Sequence, residues 1–161
     1  MSTILLIGCC GSGKTWVMRQ VIKHFKLDKK AKAGLIRFQT DGKLSVLGKY
    51  DGGLFEGSDR LSMAVMKDCA MFEKVRAKNE MIVVCEGDRF TNKTFIETCK
   101  PYIIKLLDDG SAGRIARKSN QSERHIKSIR TRVENIKANR TVKDSSEAFE
   151  VIREMICKEL T

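Results

Sequence analysis

Six cysteines are present, but no two stand at C-x-x-C spacing, and there are only two histidines, His24 and His125. Neither lies near a cysteine cluster, so a zinc site has nothing to be built from, and reduced thiols are expected. No apolar run approaches the roughly 20 residues of a membrane span. The opening MSTILLIG is too short for a signal peptide and lacks its basic start, so it reads as a first strand. A cytoplasmic protein with no membrane partner is expected. No repeat or low-complexity linker interrupts the chain, which holds one proline, and 161 residues suit one domain over 1–161.

Acidic residues are outnumbered. Lys and Arg total 31 against 20 Asp and Glu, giving +11 and a pI near 9.5 in a chain that is otherwise ordinary, at 42% hydrophobic. The excess is uneven. Residues 111–140 hold nine basic residues (Arg114, Arg117, Lys118, Arg124, Lys127, Arg130, Arg132, Lys137, Arg140) against Glu123 and Glu134. A polyanionic partner is plausible on this charge, and most of the imbalance lies in this one segment.

The hydrophobic pattern alternates strand and helix. TILLIG is a short apolar run closed by glycines, as in a parallel strand buried on both faces, and KTWVMRQVIKHFK puts Val17, Val21 and Phe25 on one helical stripe. GLIRFQT and LSVLGKY, joined by TDGK, read as a hairpin at the sheet edge. DGGLFEGSD is a loop, and RLSMAVMKDCAMFEKVRAKN a helix burying Leu61, Val65, Cys69 and Phe72. MIVVCEGD is a second parallel strand, TNKTFIETCK a short helix begun by Thr91 or Asn92, and YIIKLLD a third strand. A basic helical region with Ile126, Ile129, Val133 and Ile136 on one stripe follows, and RTV is a last short strand. Asp144 and Glu147 form a capping box for a final helix facing the core through Phe149, Ile152, Ile156 and Leu160. The expected fold is an α/β/α sandwich on a mainly parallel five-stranded sheet, with an edge hairpin and a basic helical lid over about 110–139.

Gly8-x-x-x-x-Gly13-Lys14-Thr15, within GCCGSGKT, matches the phosphate-loop pattern between a strand and a helix. In that chemistry the backbone from Gly8 through Gly11, Ser12, Gly13, Lys14, Thr15 and Trp16 cradles a nucleotide's phosphates at a helix N-terminus. Lys14 reaches the γ-phosphate, and the Thr15 hydroxyl ligates Mg²⁺. Glu86 and Asp88 close the second strand, where a carboxylate can hold the metal's water shell or polarise a hydroxyl; Glu86, nearest the strand, is preferred, and the alternative is that both cap the next helix. Asp59 can take a proton from a substrate hydroxyl while Arg60 grips a substrate phosphate, or Ser58 or Asp59 is merely an N-cap. Arg114 and Arg117, one helical turn apart, can close over the γ-phosphate, and Arg124, Lys127, Arg130 or Arg132 can follow a nucleic-acid backbone. The alternative for these charges is a solvated helix face, and no aromatic interleaving supports base stacking there.

The ordered set GCCGSGKT, the DR loop, VVCEGDRF and the arginine-rich lid resembles small P-loop kinases of the nucleotide-kinase type over nearly the whole chain. More narrowly, YDGGLFEGSDRLS with RIARKSNQSERHIKSIRTRVENI is similar to phage kinases that phosphorylate 5-hydroxymethyluracil within DNA. Arg117, Ser119, Asn120, Gln121, Lys127, Arg130, Thr131 and Asn135 fit that lid's order, and Lys118 stands where its glycine is expected. The resemblance implies ATP and Mg²⁺ as cofactors, DNA as the acceptor and Asp59 as base. It also implies Arg60 near the substrate and Lys14 with Arg114 or Arg117 on the transferring phosphoryl; Arg89, within VVCEGDRF, is a further candidate for binding substrate. A nucleoside or deoxynucleoside monophosphate kinase and a nucleic-acid-binding NTPase are the alternatives. Gln121 is the one candidate for positioning a water in the latter.

Overall fold

A computed structural model describes residues 3–52 and 56–161. In chain order, β1 (Thr3–Ile7) leads into α1 (Lys14–His24), followed by β2 (Lys29–Ala33), β3 (Ile36–Thr40) and β4 (Leu44–Leu47). After two 3₁₀ segments come α2 (Cys69–Lys78), β5 (Ile82–Glu86), α3 (Lys93–Cys99) and β6 (Tyr102–Leu106). The chain closes with α4 (Ser111–Ala116), α5 (Glu123–Asn135), β7 (Arg140–Val142) and α6 (Ser145–Leu160).

The fold is α/β, built on one sheet in the order β2-β3-β4-β5-β1-β6-β7. β1 pairs in parallel with β5 on one side (Leu6 opposite Glu86) and with β6 on the other, and β4 and β7 extend the parallel set. Strands covered by helices on both faces must be apolar throughout, and β1 and β5 are buried at every residue. Side chains alternate between faces. Leu5, Ile7, Val83 and Cys85 therefore pack with Phe72, Phe95, Ile129 and Val133 on the α2/α3/α5 side. Ile4, Leu6 and Val84 pack with Val17, Met18, Val21, Ile152 and Ile156 on the α1/α6 side.

The sheet has seven strands where five were expected. β2 (KKAKA) escapes the sequence pattern because its three lysines hide the apolar alternation that marks a strand, a composition suited to an edge strand that must not pair with another chain. The expected hairpin forms, with β3 antiparallel to β4, but it is not an edge embellishment: β4 lies inside the sheet against β5, and β2 is the edge. The helix expected from 60 is a 3₁₀ turn over Ser58–Arg60 and a 3₁₀ stretch over Met63–Asp68 before α2 begins. The basic region is two helices, parted at 117–122. Part of the loop expected at 51–59, residues 53–55, lies outside the described residues.

Asn92 caps α3, its Oδ1 accepting from Thr94 N at 2.8 Å. Asp144 caps α6 by accepting from Glu147 N at 2.9 Å, while Glu147 reaches back to Lys143 N at 2.7 Å, one residue beyond the usual capping-box partner. Leu160 is not a core residue; it lies in the last turn, largely in solvent, and Ala148 and Val151 complete the buried face instead. No described helix is long and apolar enough to cross a membrane.

Candidate functional site

The site lies where β1, β5 and β6 end together. β1 gives way to the Gly8–Gly13 loop, and α1 starts at Lys14 with Gly13 as its N-cap at φ 94°, ψ 15°, a left-handed conformation glycine takes without cost. A side chain there would also put its Cβ 2.8 Å from that of Ser145 in α6. No side chain caps the helix, so the N–H groups of its first turn, including those of Thr15 and Trp16, are left for another acceptor. Lys14 folds back over the loop, its Nζ donating to Gly8 O at 2.9 Å and Cys9 O at 2.8 Å. The loop encircles its lysine. Ser12 Oγ is buried beneath with no hydrogen-bond partner, an orphan polar atom inside an anion-shaped cradle.

α4 packs directly onto this loop. Gly110, at φ 77°, opens it, and a Cβ there would collide with Cys10 O; a Cβ on Gly113 would collide with Gly11 O. Arg114 Nη1 donates to Cys10 O at 2.6 Å and to Asp109 O at 2.8 Å. Burial pushes the Cys10 thiol up, while Lys14, Arg114 and Arg117 pull it back and Asp59 adds to the rise, so these four charges all act on one point of the loop. The helix ends in a left-handed turn at Lys118 (φ 51°), with Lys118 N donating to Ile115 O and Ser119 N to Arg114 O, both at 3.0 Å. That is a Schellman closure with lysine at the position glycine prefers, and it is the place where the resemblance leads one to expect glycine.

Glu86, only 4% exposed, faces the loop from β5. Burial, with Asp59 adding to it, pushes its carboxyl up to about 7 against the opposing pull of Lys14, the Ser58 backbone N–H and the Tyr50 hydroxyl. Tyr50 Oη donates to Glu86 Oε1 at 3.5 Å. Ser58 Oγ is a second buried atom without a partner. Asp59 is exposed on the adjoining 3₁₀ turn, and neither it nor Ser58 caps a helix by its side chain; Ser62 caps the next 3₁₀ segment instead. Asp88 is not beside Glu86 in role: it pairs with Arg132 of α5, tying that helix to the turn after β5.

The remaining expected residues are placed unevenly. Arg60 is ion-paired with Asp51, and Arg89 donates to Asp59 O at 3.3 Å and to Met63 Sδ. Trp16 turns its ring edge-on to Phe149 of α6, centroids 6.4 Å apart, so only its backbone belongs to the loop. Arg124, Lys127 and Arg130 are exposed on α5. Tyr50 joins the site without any signal in the sequence. Glu56 is buried, paired with Arg19 of α1 and accepting from Gly52 N at 2.5 Å, and no spacing rule links position 19 to position 56.

The cradle fits an anion at the uncapped helix start, and Thr15 with Glu86 offers a hard cation few protein oxygens, the pattern of Mg²⁺ held largely by waters and phosphates. Among the described residues no three His, Cys, Asp or Glu side chains group into a full metal-ligand set. No protein-family model matches this chain, and no curated protein is significantly similar to it.

Proposed function

We propose that the chain is a P-loop phosphotransferase that uses ATP to phosphorylate a hydroxyl carried by a modified base in DNA, as in 5-hydroxymethyluracil. The observation that carries this reading is the convergence on one loop mouth of Lys14, Arg114 and Arg117 with the carboxylates of Glu86 and Asp59. Three cations around an anion cradle suit a phosphoryl group whose charge spreads during transfer, and a carboxylate beside them suits the acceptor's proton. A protein that only packed this loop would not need to bury a carboxyl next to its lysine.

Bound MgATP supplies the transferable phosphoryl group and the metal that shares its charge. Lys14, held over the loop, stabilises charge on the phosphoryl oxygens; Arg114 and Arg117 meet it from the α4 side. Asp59 takes the proton of the acceptor hydroxyl as its oxygen bonds to phosphorus and the bond from phosphorus to the leaving oxygen breaks, its electron pair departing on ADP. Glu86 and Thr15 would hold the metal through its water shell. The net charge of +11 supports a polymeric acceptor over a free nucleotide.

The test is transfer from γ-labelled ATP to plain DNA, DNA containing 5-hydroxymethyluracil, and free nucleosides and nucleotides in parallel. Label is expected on the modified DNA alone. Label only on a free nucleotide would replace this reading with a nucleotide kinase, and phosphate release without a labelled acceptor would replace it with an NTPase. Asp59→Ala is expected to abolish transfer with MgATP binding intact, and Glu86→Ala to weaken metal-dependent binding as well; equal loss of nucleotide binding in both overturns the division of roles.

A further inference from the structure

On the α1/α6 side of the sheet, the β2–β3 edge is left uncovered and bounds a cavity of about 530 Å³. Lys30 and Lys32 are two residues apart on β2 and share a face, and Arg37 of β3 stands directly opposite Lys32. Lys49 and Arg60 reach the same cavity from two other segments. Among the described residues Asp51 is the one carboxylate lining it, and Arg60 already occupies that group. Lys30, Lys32, Arg37 and Lys49 have no ion pair among the described residues.

Lysines on an edge strand have an ordinary use, which is to block pairing with another sheet. That accounts for β2 alone. It does not account for Arg37 on the inner strand, where a like charge directly across from Lys32 costs stability, nor for two more cations brought in from outside the hairpin. Five cations around one cavity, with a single carboxylate among its described lining residues, call for an anion with several charges along its length.

The cavity adjoins the acceptor side of the candidate site at two residues. Tyr50 lines it and also touches Glu86, and Arg60 lines it while its neighbour Asp59 stands at the loop mouth. We infer that this edge groove holds the phosphodiester backbone of a single-stranded stretch of the DNA acceptor next to the nucleotide being modified. The inference rests on the DNA-acceptor reading above and places the strand's main footing on the hairpin rather than on α5. A single strand is the fitting form, because chemistry on a base needs that base out of the stack.

The experiment is fluorescence anisotropy of a short labelled single-stranded oligodeoxynucleotide across a salt series, without ATP, with the parent, K30Q/K32Q/R37Q and R124Q/K127Q/R130Q. All three substituted hairpin positions are exposed, and circular dichroism checks that each variant is folded. The hairpin variant is expected to flatten the slope of log K against log salt by about 2, at about 0.7 for each phosphate that is no longer neutralised, and to bind the oligonucleotide more weakly than the α5 variant does. K32E alone is expected to weaken binding more than K32Q. Nucleotide triphosphate affinity, measured in parallel, is expected to hold. An unchanged slope in the hairpin variant, with the weakening confined to the α5 variant, overturns the inference while leaving the kinase reading intact. Hairpin-dependent binding of DNA that is never phosphorylated keeps the groove as a single-strand site but overturns its place beside a nucleotide being modified, and the kinase reading with it.

Discussion

Around Lys14 the geometry is fixed by backbone: a strand end, a glycine loop, an uncapped helix start, and a second helix pressed so close that Gly110 and Gly113 admit no side chain. Around Asp59 it is fixed by side chains on short 3₁₀ turns, with Arg60 held by Asp51 and Arg89 resting on Asp59 O and Met63. Backbone hydrogen bonds among packed elements tolerate little movement, whereas exposed ion pairs contribute about 0–1 kcal/mol each. The Lys14 side is thus a preset mould and the Asp59 side a set of groups free to regroup, which in the proposed reaction suits a fixed nucleotide and a polymeric acceptor.

The sharpest way to break that contrast is to remove charge from each half. Lys14→Met is expected to lower kcat about 10²–10³-fold, the usual loss when one preorganised charge on a reacting oxyanion is deleted. Arg60→Ala is expected to raise KM for DNA with kcat little changed, read in the same labelled-transfer assay. If Arg60→Ala lowered kcat as much as Lys14→Met, the acceptor side would be as preset as the loop.

Glu86 offers a pH test of the mould. Its carboxyl titrates near 7 in the folded chain against an ordinary 4.5, so the folded state binds the extra proton between those values. Stability therefore falls as pH rises from about 4.5 to about 7, and the full cost, on the order of 3 kcal/mol, is present above that. Glu86→Gln is expected to be the more stable protein at pH 8 and to lose that advantage near pH 4, measured by urea unfolding without nucleotide or metal. A parent whose stability rose from pH 5 to 7 relative to the variant would show the carboxylate to be better solvated than its burial implies.

Two smaller effects separate crowding from conformation at α4. Gly113→Ala meets Gly11 O at an ordinary helical φ, so crowding alone is expected to cost about 1–3 kcal/mol and to loosen α4 from the loop, seen as faster amide exchange at Arg114. Lys118→Gly relieves a left-handed φ of 51° and is expected to add about 0.5–1 kcal/mol in thermal unfolding. A neutral Lys118→Gly would mean that the lysine side chain makes up the difference.

Much of the Lys14 side is legible in the sequence because it is local. GCCGSGKT, the apolar runs of β1, β5 and β6, and the Asp144 cap each lie within a few consecutive residues, and the strand and helix periods around them are long enough to read. β2 is not legible, since KKAKA carries its apolar residues only at Ala31 and Ala33. The break between α4 and α5 is hidden because both halves are basic and the αL turn at 118 falls on a lysine instead of a glycine.

By itself the sequence determined the alternation of strand and helix, the loop that joins β1 to α1, and the surplus of positive charge, all of which follow from residue type at short spacing. Tertiary structure alone decided that β4 lies inside the sheet and β2 at its edge, that Tyr50 and Ser58 close over Glu86, and that Arg114 reaches back across the chain to Cys10. It also decided that Lys30, Lys32, Arg37, Lys49 and Arg60 share one groove. These groupings join residues far apart in the chain; they are set by how the sheet orders its strands, and no local pattern of residues encodes that order.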